Sequence, residues 1–214
     1  MGEALALGGD LEGAQAVSSR VVDPILLAST SPQRRAILGQ LGIPFDAVAP
    51  DYEEHDPPDA DAVALVREHA TGKARSVAHL GGEHRPVLGV DTSVWLDGRL
   101  YGKPADSADA ERMLEQLAGR THTVVSGLCL LTSAWEVVEH ESTAVTFREL
   151  TPRELAQHLA GGEWEGRAGG YAIQGRGASL VERIEGDYLN VVGLPAALLV
   201  RLLAERFAGA YGFG

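Results

Sequence analysis

Four groups of side chains in this chain have types and spacings suited to chemistry. The first is Ser29, Ser31 and Arg34, where the apolar run Ile25 to Ala28 stops at hydroxyl residues and Ser31-Pro32 reads as a helix start. Serine suits the N-cap, and proline suits the first helical position, whose N–H has no intrahelical partner. A strand feeding a helix N-terminus leaves free N–H groups and a partial positive charge, which favour anions. Arg34 and Arg35 in that first turn oppose the helix dipole, so a phosphate there would offset them. Two solvated arginines on an ordinary strand–helix connection are the competing reading. The second group is Glu53 and Glu54, in an acidic loop bounded by prolines at 50, 57 and 58. The third is Asp91, expected at the C-terminal end of the apolar strand Val87 to Val90, beyond which ligands of open α/β sheets bind. A turn or cap role suits Asp91 equally. The fourth is Lys73 and Lys103, the latter set between Gly102 and Pro104, although a lone lysine is usually a solvated one.

Taken together, these groups point to phosphoryl chemistry. Carboxylates hold hard divalent cations through oxygen, and lysine and arginine neutralise phosphate charge. The better-known alternatives are missing: there is no Gly-x4-Gly-Lys-Ser/Thr loop and no Gly-x-Gly-x-x-Gly after a strand. The seven histidines show no zinc spacing, and there is no Gly-x-Ser-x-Gly elbow.

The elements that must position these residues read as alternating strands and helices. Ile25–Ala28 is a strand, and Ile37, Leu38 and Leu41 form the apolar side of the helix that Gly42 ends. Phe45–Val48 is a second strand. Val63, Val66, Ala70, Ala74 and Val77 make one stripe of a longer helix, with Lys73 beside it. Val87–Val90 continues into Val94–Leu96, and Asp97-Gly98 is a hairpin signal with Arg99–Tyr101 as the return strand. A helix over Ser107–Leu117 precedes two long strands, Thr121–Leu131 and Val137–Leu150. Thr151-Pro152-Arg153-Glu154 is a capping box. A glycine-dense loop at 166–177 leads to a strand at 179–184. The segment 190–195 then enters a last helix whose apolar face is Leu198, Leu199, Leu202, Leu203 and Phe207.

Composition narrows the options. The 214 residues are long enough for a substantial core. A net charge of −12 argues against a broad nucleic-acid surface, so an anion site must be a local cluster. No run approaches the roughly 18 apolar residues of a membrane span, and no membrane partner is expected. The single cysteine, Cys129, reads as a small buried hydrophobe and fits a reducing, cytoplasmic compartment. Residues 1–20 carry no basic n-region ahead of an apolar stretch and are expected to be a disordered extension. One α/β unit is expected over 21–214.

Six motifs follow one another along the chain: Ala-Ser-x-Ser-Pro-x-Arg at 28–34, Asp-Thr at 91–92, Gly-Lys-Pro at 102–104 and Gly-Arg-x-His at 119–122. Ala-Gly-Gly-Tyr-Ala-Ile-Gln-Gly at 168–175 and Gly-Asp-Tyr-x-Asn-Val-Val-Gly-Leu-Pro at 186–195 complete the series. In this order they make the chain resemble the Maf family of nucleoside triphosphate pyrophosphatases, relatives of the inosine triphosphate pyrophosphatases. The resemblance implies an α/β fold with a long mixed sheet flanked by helices and two lobes around a cleft, often as a homodimer. It implies hydrolysis of a nucleoside triphosphate to the monophosphate and pyrophosphate with Mg²⁺ or Mn²⁺. Carried over by position, Ser29, Ser31 and Arg34 would bind phosphate, and Glu54 and Asp91 would bind metal or activate water. Lys73 and Lys103 would stabilise the triphosphate. Gln174 would line the nucleotide pocket, and Tyr171 with its glycines would let ring and backbone approach the nucleoside. Lys103 and Gln174 resemble the subgroup acting on dTTP and UTP rather than the one acting on 7-methyl-GTP. A non-catalytic, nucleotide-sensing regulator of cell division is the reading from another class. Two positions depart from the family: Gln33 stands where an arginine is frequent, and Arg167 where a lysine is.

Overall fold

The computed structural model describes residues 22–57 and 60–213; the expected extension at 1–20 lies outside them. Strands β1 (Ile25–Ala28), β2 (Phe45–Val48) and β3 (Val87–Leu96) are parallel, with β1 between the other two. Beyond β3 the sheet turns antiparallel through β5 (Thr121–Leu131), β6 (Glu136–Phe147) and β7 (Val181–Glu185). The short β4 (Arg99–Tyr101) pairs with the far end of β3. The hairpin joining them uses Asp97 and Gly98, both at positive φ (53° and 75°), as the sequence Asp-Gly leads one to expect. The architecture is therefore a seven-stranded mixed sheet flanked by helices.

β3 is where the sheet forks. On the same edge it pairs with β1 through Gly89 and with β4 only from Val94. Asp91, Thr92 and Ser93 lie in the gap between those partners, while the other edge of β3 stays paired to β5 throughout. Asp91 was expected at the end of a strand, and here the structure differs. β3 runs five residues further, to Leu96, and it is the neighbouring β1 that ends.

Two apolar cores share one face of the sheet. Leu88, Val90, Leu128 and Leu130 pack with α1 (Pro32–Gln40) and α6 (Ala196–Phe207). Val94, Leu96, Val124 and Val145 pack with α3 (Ser107–Leu117) and α4 (Pro152–Ala160). The division between them falls at Asp91–Ser93, which is the physical basis of the two lobes. On the opposite face, α2 (Ala62–Val77) lies directly on β3 and β5, and two glycines allow that approach. A Cβ on Gly89 would stand 2.1 Å from the Ala70 carbonyl oxygen, and one on Gly127 would stand 2.1 Å from that of Val66. Among the described residues no helix is long and apolar enough to cross a membrane.

Three expected boundaries move. The second long strand ends at Phe147 rather than Leu150. The strand expected over 179–184 begins only at Val181; Arg176–Leu180 is a 3-10 turn, because Glu163 accepts hydrogen bonds from the Arg176 and Gly177 N–H groups and curls the chain there. The segment 190–195 does not enter the last helix directly. Its first half belongs to a short helix α5 (Tyr188–Val192), started by Asp187, whose side chain accepts from the Leu189 N–H at 2.8 Å. Gly193, at φ 127°, then breaks the path before α6 begins at Ala196.

Candidate active site

The helix start at Ser31 folds as its sequence suggests. Ser31 is the N-cap, Pro32 opens α1, and the Ser31 hydroxyl accepts from the Arg34 N–H at 3.4 Å. The Arg34 side chain turns inward. Its Nε donates to the Gly193 carbonyl at 2.9 Å, one terminal nitrogen to Ser29 Oγ at 3.2 Å, and the other to Thr92 Oγ1 at 3.4 Å. Burial lowers the pKa of this guanidinium, against the opposing pull of the Asp91 and Glu54 carboxylates. Arginine remains charged under such conditions, so a fixed cation stands beside the strand end. Ser31 Oγ also donates to the Gln33 side chain at 3.2 Å. The residue replacing an arginine thus braces the cap.

Lys73 is the centre of the acidic half. The sequence places it beside the apolar stripe of α2, yet it is buried, because the close seating of α2 on Gly89 and Gly127 carries it down to the sheet. Its ammonium lies 2.6 Å from Asp91 Oδ1 and 2.5 Å from Glu54 Oε1. Burial opposes ionisation of Glu54. The hydrogen bond from Lys73 and the charges of Lys73 and Lys103 outweigh it and hold the carboxyl below its usual range. Among the described residues there is no group of three or more His, Cys, Asp or Glu side chains arranged to hold a metal.

The opposite wall is assembled differently. Lys103 and Gln174 are both exposed and face the same cleft of about 920 Å³ as Ser29, Ser31, Arg34, Glu54, Lys73 and Asp91. Their two loops are joined by a hydrogen bond from the Gly169 N–H to the Gly102 carbonyl at 3.1 Å. Glu163 holds the backbone just past Gln174, at 2.9 Å from the Arg176 nitrogen and 2.7 Å from that of Gly177. Gly175 makes room for it, since a Cβ there would overlap Glu163 Oε1 at 1.6 Å.

Tyr171 is held from behind. Its ring borders the cleft, but the side chain is buried and its hydroxyl pairs with His122 Nε2 at 2.9 Å. Phe147 packs edge-on against both rings. Burial raises the Tyr171 phenol well above its ordinary value and lowers the His122 imidazole to about 4. The tyrosine hydroxyl is committed to the core, and what it offers the cleft is apolar ring surface.

Such a cleft, with a capped cation on one side and a carboxylate–lysine–carboxylate chain on the other, invites comparison with known proteins. The Maf-like protein family matches residues 24–206. This chain belongs to the Maf family. A Maf protein of Gloeobacter violaceus named dTTP/UTP pyrophosphatase is 47% identical over 182 residues, covering 85% of this chain and 95% of that protein. Others of the same name come from Moorella thermoacetica, 48% identical over 84% of this chain and 93% of that one, and Deinococcus radiodurans, 45% identical over 89% and 95%. Among solved structures, the Ham1 protein of Staphylococcus aureus aligns with a TM-score of 0.42 at 14% identity over 57% of this chain and 71% of that chain.

Several participants in this Maf cleft were not singled out as site residues in the sequence, although Thr92 and Gly193 fall within its motifs. Thr92 bonds to Ser126 at 2.8 Å and receives Arg34, and the Gly193 carbonyl receives both Arg34 and Thr92. Ser126 comes from β5, 34 residues away from Thr92, and Gly193 is 159 residues from Arg34. The motif Asp-Thr did contain the signal for Thr92. Successive strand residues face opposite sides, so Asp91 meets α2 while Thr92 meets α1, and the fork in the sheet opens both toward the cleft.

Proposed function

We propose that this protein hydrolyses nucleoside triphosphates to the monophosphate and pyrophosphate, with dTTP and UTP as preferred substrates. The observation that carries the proposal is the convergence of Arg34, Lys73, Asp91 and Glu54 on one cleft with an α-helix N-terminus on its wall. The names of the similar Maf proteins supply the substrate class.

In this reading Ser29, Ser31 and the α1 N-terminus hold phosphate oxygens, and Arg34, already locked by its hydrogen bonds, presents fixed positive charge. Water attacks the α-phosphorus, the bond to the bridging oxygen breaks, and pyrophosphate leaves. Asp91 takes the proton of the attacking water, and Lys73 and Lys103 neutralise charge accumulating on the leaving group. Lys73 engages one oxygen each of Glu54 and Asp91, and their remaining carboxylate oxygens are a fitting donor set for Mg²⁺ or Mn²⁺, which take few protein carboxylates. Glu54 and Asp91 would hold the ion, which polarises phosphate oxygens and acidifies bound water. Gln174, with both an amide donor and an acceptor, reads the pyrimidine edge. Because it is exposed, its selectivity has to come from burial under the bound base. The Maf resemblance extends this reading to a cytoplasmic homodimer that clears surplus or modified nucleotides.

The test is a panel of nucleoside triphosphates incubated with the purified protein and Mg²⁺ or Mn²⁺, with released pyrophosphate measured. dTTP and UTP should lead. A panel led by 7-methyl-GTP would overturn the substrate choice and leave the reaction. Nucleotide binding without any hydrolysis would overturn the reaction.

A further inference from the structure

The loop that carries Glu54 is fastened along one face of α2, and, Asp56 apart, the side chains that fasten it lie outside the cleft wall. The Asp51 N–H donates to Ser76 Oγ at 3.2 Å, and that hydroxyl donates to the Lys73 carbonyl at 2.8 Å. The Tyr52 ring lies over Gly72, where a Cβ would stand 2.1 Å from the ring's Cε2. The Tyr52 hydroxyl reaches His69 Nδ1 at 2.9 Å, and His69 Nε2 reaches Asp56 Oδ1 at 3.1 Å. Positions 69, 72, 73 and 76 fall on one helical stripe. Loop and helix therefore run antiparallel, and Glu54 meets Lys73 in the middle of the row of ties.

His69 is the centre of the arrangement. Its side chain is 2% exposed, while Asp56, which it grips, is 47% exposed. A neutral imidazole with its proton on Nε2 donates to Asp56 and accepts from Tyr52, so both ring nitrogens are satisfied by loop residues on either side of Glu54. Neither His69 nor Tyr52 is among the residues lining the cleft. Their contacts act on the loop.

We propose that His69, together with Tyr52 and Gly72, is a positioning set that holds Glu54 against Lys73 and so sets the rate of the chemical step rather than the affinity for nucleotide. The proposal rests on the reading of Glu54 as a functional carboxylate. Its physical basis is that Glu54 lies on an irregular loop. An error of about 1 Å in the placement of a catalytic group costs on the order of 100-fold in rate. The phosphate-binding elements on α1 do not pass through this loop, so substrate affinity should be spared.

The experiment compares wild type, His69→Leu, His69→Gln, Tyr52→Phe and Glu54→Gln by steady-state dTTP hydrolysis with Mg²⁺ and by hydrogen-exchange mass spectrometry without nucleotide. His69→Leu should lower kcat roughly 10- to 100-fold with KM within about twofold, and should speed exchange across residues 50–57 while β3 and β5 stay protected. His69→Gln, which can donate and accept, should recover most of the loss. Tyr52→Phe keeps the ring on Gly72 and removes one hydrogen bond, for a drop of about 3- to 10-fold; it carries the test if His69→Leu does not fold. Unchanged exchange in 50–57, or a kcat within twofold of wild type in both His69→Leu and Tyr52→Phe, overturns the proposal, as does a rise in KM matching the fall in kcat. If Glu54→Gln retains full activity, it is the functional reading of Glu54 that has failed. Exchange alone then judges the fastening: faster exchange in His69→Leu supports it and unchanged exchange overturns it.

Discussion

The two walls of the cleft are built on opposite principles. On the phosphate wall every charged group is already engaged: Arg34 is held by Gly193, Ser29 and Thr92, and Lys73 by Asp91 and Glu54. Its residues come from a strand end, a helix N-terminus and a helix pressed onto the sheet. On the opposite wall Lys103 and Gln174 are exposed ends on loops, and the order lies in the neighbours that brace them, Glu163 at the cleft and Tyr171 paired to the buried His122. Preorganised charge lowers a barrier because it needs no rearrangement at the moment of reaction. A wall that must accept different bases gains from side chains completed only by the ligand. The contrast therefore separates rate from selectivity, and it can be broken or sharpened by substitution.

The largest effect is expected at Asp91, which belongs to the engaged wall. Asp91→Asn should lower kcat by about 10²- to 10⁴-fold with little change in KM, the signature of a group acting in proton transfer. A variant with normal turnover would remove Asp91 from the chemistry and dissolve the contrast.

Next comes a pH effect on the layer behind the open wall. His122 is buried and neutral, with a pKa lowered by burial from 6.5 to about 4. Between those values the unfolded chain binds a proton that the folded protein refuses. The stability His122 preserves is therefore complete above pH 6.5 and declines as pH falls toward 4. The whole decline is on the order of 3 kcal/mol. Urea unfolding at a series of pH values should show it, and His122→Gln should have a shallower slope in that window. Parallel slopes for the two proteins would mean that His122 does not titrate as its burial implies.

A comparable loss of stability is expected where α2 meets the sheet. Gly127→Ala places a methyl group against the Val66 carbonyl and should cost about 1–3 kcal/mol, as overpacking does. Raising α2 also draws Lys73 away from Asp91, so kcat should fall with the melting temperature. Loss of stability with kcat intact would show that the ion pair tolerates movement of the helix.

The smallest effect is on base choice. Gln174→Ala should reduce the preference for dTTP and UTP over purine triphosphates by about tenfold, with hydrolysis still measurable, because one amide left unpaired is worth about 1–3 kcal/mol. Glu163→Ala, which frees the backbone beyond Gln174, should move the preference in the same direction by less. A fall in kcat for all bases alike would instead place Gln174 with the rate-setting wall.

Much of this was written locally. Ser31-Pro32, Asp97-Gly98 and Thr151-Pro152-Arg153-Glu154 each encode their own turn or cap, and each folds as it reads. The β3–β4 hairpin and the Ser107–Leu117 helix follow from turn chemistry and apolar period alone. Six of the eight candidate residues that line the cleft lie in the motifs, and Glu54 and Lys73 stood out by charge alone. Local pattern misplaced what depends on distant partners. The strand expected from Ser179 yields to a 3-10 turn because Glu163, far back in the chain, takes its N–H groups. Local pattern was silent on the Tyr171 hydroxyl, which pairs with His122 from a distant strand.

The sequence alone determined most of the elements that form and the side chains at their ends, since capping, turn conformation and apolar periodicity act over a few residues; α5 and the 3-10 turn before β7 were the exceptions. Only the tertiary structure decided that Lys73 would be buried between two carboxylates. That outcome requires Gly89 and Gly127 to meet the backbone of α2, and nothing local to Lys73 records how closely a helix can approach a sheet. In the same way, the gap between β1 and β4 that exposes Asp91 and Thr92 arises because two strands share one edge of β3. That is a fact of pairing across the sheet, which no segment carries by itself.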